Sequence, residues 1–144
     1  MKFRFNLETV LKIRRHQEEL EKQKLGLAIQ QRNNILRSLQ KVQGIMDALN
    51  KRFNSEKSVN ANGLKRYYAA LQDKQTTYME LKNKYAEAES EVLEQREVLL
   101  EANKKTKMLE KLKSRALSSY LRENDRVEQM ELNEMATQKF NHSN

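Results

Sequence analysis

The sequence has no proline, no cysteine and no tryptophan, and only three glycines in 144 residues. An average domain carries about 5% proline and about 7% glycine, which make its turns. With so little turn chemistry, multi-strand sheets, βαβ units and glycine-rich phosphate loops are excluded. Zero cysteine removes disulfides, thiolate zinc sites and cysteine nucleophiles, and fits a reducing compartment. No apolar run approaches the length of a transmembrane helix. The opening MKFRFNLETV lacks the apolar stretch of a signal peptide. What the chain does have is charge: 33% of its residues, with a net +8 and a mean hydropathy of −0.96. That composition suits either a disordered chain or long helices, and periodicity decides between them.

Stepping alternately by four and three from Leu7 gives Leu7, Leu11, Arg14, Glu18, Glu21, Leu25, Ala28, Arg32, Ile35, Leu39, Val42, Met46, Leu49 and Phe53. Ten of these fourteen are apolar, against 38% for the chain. This is a heptad stripe, the seam of a left-handed coiled coil. Asn6 reads as the N-cap, with Phe5 and Val10 as a hydrophobic staple. Gly26 and Gly44 fall inside the helix, off the seam, and read as tolerated surface glycines.

The segment Asn54–Gly63 (NSEKSVNANG) is the only cluster of turn residues. Beyond it the stepping resumes at Leu64 and Tyr67 and continues to Tyr120, Glu123, Val127 and Met130. Fifteen of its twenty positions are apolar. The expected fold is therefore all-α, a single antiparallel two-helix coiled-coil hairpin with a longer second helix. Helix 1 spans about 7–53, the turn about 54–63, helix 2 about 64–138, and 139–144 form a frayed tail. Pairing Phe53 with Leu64 puts Glu21 near Arg96 and Glu18 near Leu99. A Glu21–Arg96 pair would fix the register; the alternative is that these side chains snorkel to water. Residues beyond about Arg115 are left without a partner in the chain, although Ala116, Tyr120, Val127 and Met130 continue the stripe.

Charge is uneven along the chain. Residues 104–115 (KKTKMLEKLKSR) hold six basic residues and one acidic, net +5, whereas residues 54–103 hold seven basic and nine acidic, net −2. Folding back brings the basic N-terminal segment towards 104–115, which suggests an acidic partner surface or a nucleic-acid backbone. Catalytic chemistry is missing. His16 and His142 are the only histidines, and neither has a second histidine one helical turn away to form a metal pair. There is no Walker A, GxSxG or HExxH motif. A two-helix hairpin builds no closed pocket to raise a carboxylate pKa. The chain reads as a non-enzyme without cofactor or metal that works by contact.

Three segments resemble the flagellar export protein FliJ family. Phe3-Arg4-Phe5-Asn6-Leu7-Glu8-Thr9-Val10-Leu11-Lys12-Ile13-Arg14 is similar to the family's F-x-L-x-x-VL-x-x-R opening, followed by the acidic Glu18 and Glu21. Lys107-Met108-Leu109-Glu110-Lys111-Leu112-Lys113-Ser114-Arg115, with Tyr120 after it, resembles its K-x-LE-x-L-x-x-R segment. Glu131-Leu132-Asn133-Glu134-Met135-Ala136 resembles its E-x-DE-x-A element, with Asn133 where aspartate is usual. The resemblance implies a cytoplasmic component of the flagellar type III export ATPase complex, peripherally associated with the inner membrane at the flagellar base. It further implies that the chain inserts into the hexameric export ATPase, promotes its assembly, and contacts the membrane export gate and substrate chaperones.

On that basis Arg14, Arg15, Lys104, Lys105, Lys107, Lys111, Lys113 and Arg115 are the electrostatic candidates for the ATPase. Tyr120, Val127 and Met130 are the apolar ones, and Tyr68 and Met79, off the seam near the turn, are candidates for the gate or chaperones. The alternatives are an injectisome stalk protein, a basic helical hairpin that binds nucleic acid, and a generic coiled-coil adaptor. Against nucleic acid, the lysines share their surface with acidic residues, and the aromatics lie largely on the seam.

Overall fold

A computed structural model describes residues 2–56 and 60–143. The fold is an all-α helical hairpin: α1 spans Glu8–Ser55 and the longer α2 spans Ala61–Ser143. No strand occurs among the described residues. Leucine, lysine, glutamate, glutamine and arginine make up more than half of each helix, and all are strong helix formers. The expected seam is the buried one between its ends, whereas Leu7 and Leu64, each 39% exposed, stand outside the packing, and Phe53 packs on Tyr67 rather than pairing with Leu64. Every seam position from Leu11 to Phe53 in α1, and from Tyr67 to Tyr120 in α2, is buried or half-buried. Gly26 and Gly44 sit outside it, and a Cβ added at either would meet nothing within 4 Å.

The helix ends differ from the sequence expectation in three places. The first helical hydrogen bond runs from Leu11 N–H to the Leu7 carbonyl at 2.8 Å. Leu7, not Asn6, is therefore the N-cap, and the Phe5–Val10 staple loses its register. The cause lies upstream, where Phe5 accepts a bond from Glu8 N–H at 3.1 Å and turns the chain at Asn6 and Leu7. At the other boundary, α1 runs on through Ser55 and α2 begins at Ala61. Asn60 caps α2, its side-chain oxygen accepting from Gly63 N–H at 2.7 Å and its carbonyl from Leu64 N–H at 3.0 Å. That cap places Gly63 within the first turn of α2 rather than in the connection. Of the expected turn, Lys57, Ser58 and Val59 lie outside the described residues. Finally, α2 continues to Ser143, because nothing in 139–143 breaks a helix.

Contacts divide the chain into two compact units, one of Met1–Glu19 with Leu100–Asn144 and one of Leu20–Leu99. In the first, Leu11 is fully buried and the polar seam positions are satisfied. Glu18 accepts a hydrogen bond from Asn103 Nδ2 at 2.8 Å, and Thr106 Oγ1 donates to the Ala102 carbonyl at 3.0 Å. Glu18 thus meets Asn103, one turn beyond the expected Leu99. Lys113 Nζ lies 2.8 Å from Glu8 Oε2, and Arg15 Nε lies 3.4 Å from Glu110 Oε1. The partners run in opposite chain directions, as an antiparallel pair requires.

In the second unit Leu39, Val42, Ala88 and Val92 form the core. Glu21 meets Gln95, whose amide donates both to its carboxylate and, at 3.3 Å, to its backbone carbonyl. The expected partner Arg96 is exposed instead. Gln95 is itself a seam position and Arg96 is rotated about 100° away from it, so the seam residue wins. Where α1 ends, Phe53 stacks on Tyr67 with ring centroids 4.1 Å apart, and Tyr67 Oη donates to Asn50.

Candidate partner-docking surfaces

The first unit carries most of the residues singled out from sequence. Its helical pair stops at the start of α1, but the cover does not. Residues 2–7 are non-helical, and Phe3 places its ring 5.5 Å from that of Tyr120. Phe3, Arg4, Phe5, Glu8 and Lys113 together line one hollow of about 350 Å³. Ala116 and Tyr120 are consequently half-buried. This corrects the expectation that the unpartnered stripe begins near Arg115 and that Tyr120 belongs to it. The stripe without cover begins at residue 121, and every residue from there to 142 is exposed. Val127 and Met130 are 42% and 51% exposed, as expected for an apolar stripe without an in-chain partner.

The cations divide into two sets. Arg14 is half-buried on the seam and donates to Gln17 at 3.3 Å. Arg15 and Lys113 are engaged across the helix pair, and Lys104 Nζ lies 3.6 Å from Glu101 on its own helix. Lys105, Lys107, Lys111 and Arg115 are exposed and have no ion pair among the described residues. Arg14, Arg15 and Lys113 thus bind the chain to itself, while the other four present charge outward. On the uncovered segment Arg126 Nη2 binds Glu123 Oε1 at 2.7 Å.

The Lys113 ammonium, hydrogen-bonded to Glu8, holds the Glu8 carboxyl below its ordinary value of 4.5, against some desolvation. The Gln95 amide lowers Glu21 in the same way, and Arg126 lowers Glu123. A depressed carboxyl stabilises the fold above its unfolded pKa, and that contribution is lost as pH falls through the folded value. Wild-type protein is therefore expected to melt at a higher temperature than Glu8→Gln at pH 6. By circular dichroism, the difference should shrink as pH falls below the ordinary carboxyl value of 4.5 and vanish once pH is below the lowered folded value.

In the second unit Tyr68 and Met79 are both exposed. Tyr68 is not isolated, since it sets its ring edge-on to Tyr67 with centroids 5.4 Å apart. Both histidines are exposed. Among the described residues no group of His, Asp and Glu is placed to hold a metal ion, and no helix is long and apolar enough to cross a membrane. Sequence reading missed the covering role of Phe3 and Phe5. Their signal is the F-x-F pair before the helix, of which the sequence reading uses only Phe5 for capping, in a staple with Val10.

No curated protein and no solved structure matches this chain. The family model described as flagellar FliJ protein matches residues 2–144. That match spans the hairpin and both of its ends, and the chain belongs to the flagellar FliJ protein family, a family of export-related coiled-coil proteins.

Proposed function

We propose that this chain is a non-catalytic component of the flagellar type III export apparatus that docks into the hexameric export ATPase through its first unit and promotes the ATPase's assembly. The observation that carries the reading is the unsatisfied surface of that unit. An apolar stripe at Val127 and Met130 has no cover, and Lys105, Lys107, Lys111 and Arg115 have no counter-charge among the described residues. Exposed apolar residues and exposed cations without ion pairs, carried on the same helix, are what a partner's surface satisfies. Lys104, held only by a neighbour on its own helix, joins the same basic face. Tyr68 and Met79 in the second unit are the corresponding contacts for the membrane export gate or substrate chaperones. The working location is the cytoplasmic side of the inner membrane at the flagellar base.

The test is co-elution with purified export ATPase. The double variant Val127→Asp, Met130→Asp alters two exposed positions and should keep the wild-type circular dichroism and melting temperature. Its association should fall about tenfold or more, as for buried apolar anchors at interfaces. Wild-type co-elution by this variant would remove the uncovered stripe from the interface.

A further inference from the structure

Within the second unit, α1 and α2 form a trench whose lining residues the export reading leaves unused. It encloses about 390 Å³, enough for one large aliphatic side chain and its neighbours. Its apolar lining comes from Leu27, Ala28 and Val98. Leu27 is 61% exposed and Val98 47%, so two aliphatic side chains from different helices stand half out of the protein beside a small residue. Gly26 adjoins Leu27, with open space where a Cβ would be, and this lowers the rim for a close approach. The charges around the trench are unequal. Lys24 is held by Glu21, 3.4 Å from its carboxylate, and Gln95 uses its amide on the same residue. Glu91 and Glu94 also line the trench; both are exposed and have no cation among the described residues.

We propose that this trench docks a basic amphipathic helix, seating one large aliphatic side chain over Ala28 between Leu27 and Val98. Lysine or arginine one turn to either side of that anchor would meet Glu91 and Glu94. A helix suits the space because the gap between two packed helices accepts the side-chain ridge of a third. Charge sets the sign of the partner. Two unpaired carboxylates repel an acidic helix or a phosphate backbone and attract a basic one. The surface is separate from the ATPase-facing residues and does not depend on that assignment.

Three synthetic helical peptides test it against the full-length chain. The first carries leucine at its centre with lysines at three and four residues to either side, the second replaces the lysines by glutamate, and the third replaces the leucine by serine. By fluorescence anisotropy, the first should bind at least about tenfold more tightly than either of the others. Its amide chemical-shift changes should centre on Ala28, Gln95 and Val98. Glu91→Lys with Glu94→Lys should cost the lysine peptide about tenfold and favour the glutamate peptide instead. Leu27→Ser should weaken the lysine peptide alone. All three positions are exposed, so circular dichroism should be unchanged in these variants. Equal binding of the lysine and glutamate peptides would overturn the proposal, as would shifts centred on residues 121–142 or indifference to the Glu91 and Glu94 reversals.

Discussion

Leu11→Ala is expected to cost about 3 kcal/mol, the middle of the range for a buried leucine cut to alanine. Leu11 is 0% exposed, and the seam of a helix pair is one side chain deep. Neighbours on two helices cannot close fully around the gap, so the loss combines transfer free energy with a residual cavity. The melting temperature should fall by about 10 °C for a chain of this length. Hydrogen exchange should locate the damage in the first unit, where α1 begins and α2 passes it. Leu27→Ala is the control. The side chain is the same, but it is mostly exposed, and the expected change is within about 0.5 kcal/mol. Similar losses at the two sites would mean that the heptad seam is not what holds the helices together.

Reversing Lys107, Lys111 and Arg115 to glutamate should have the largest effect on association. Three reversals change the local charge by six units at side chains that have no ion pair among the described residues. Proximity of like charges slows encounter and weakens docking together. Association with the export ATPase should fall about 100-fold at low ionic strength, and the gap should narrow as added salt screens the charges. Helicity should remain, because these side chains are exposed. Arg15→Glu and Lys113→Glu provide the contrast. Each places a carboxylate beside Glu110 or Glu8, so their first effect should be on stability. Unchanged association after the triple reversal would remove the basic face from the interface.

The seam was legible because its period is a property of the sequence alone: one apolar stripe repeats every 3.5 residues, and burial follows it from Leu11 to Phe53 and from Tyr67 to Tyr120. Details set by contacts at a distance were less legible. Asn6 looked like a cap because asparagine caps helices in general, yet Phe3 docks on Tyr120 and Phe5 turns the chain so that Leu7 takes the cap position. Asn60 was the true cap, hidden within a run of turn residues. Glu21 prefers Gln95 to the charge-complementary Arg96 because seam geometry outweighs sign. The charge excess in Lys104–Arg115 was visible in sequence. Its division into cations that hold the hairpin and cations that face outward required the partners Glu8 and Glu110, more than ninety residues away along the chain.

In the proposed function, this chain acts on an export ATPase by contact. The most direct test is the rate of ATP hydrolysis by a purified flagellar export ATPase, measured with and without added full-length chain. The rate should rise and saturate with added chain, accompanied by more hexamer. The Val127→Asp, Met130→Asp variant should produce neither effect at the same concentration. A rate and an oligomer distribution that ignore wild-type chain would mean that the chain does not act on the ATPase by contact.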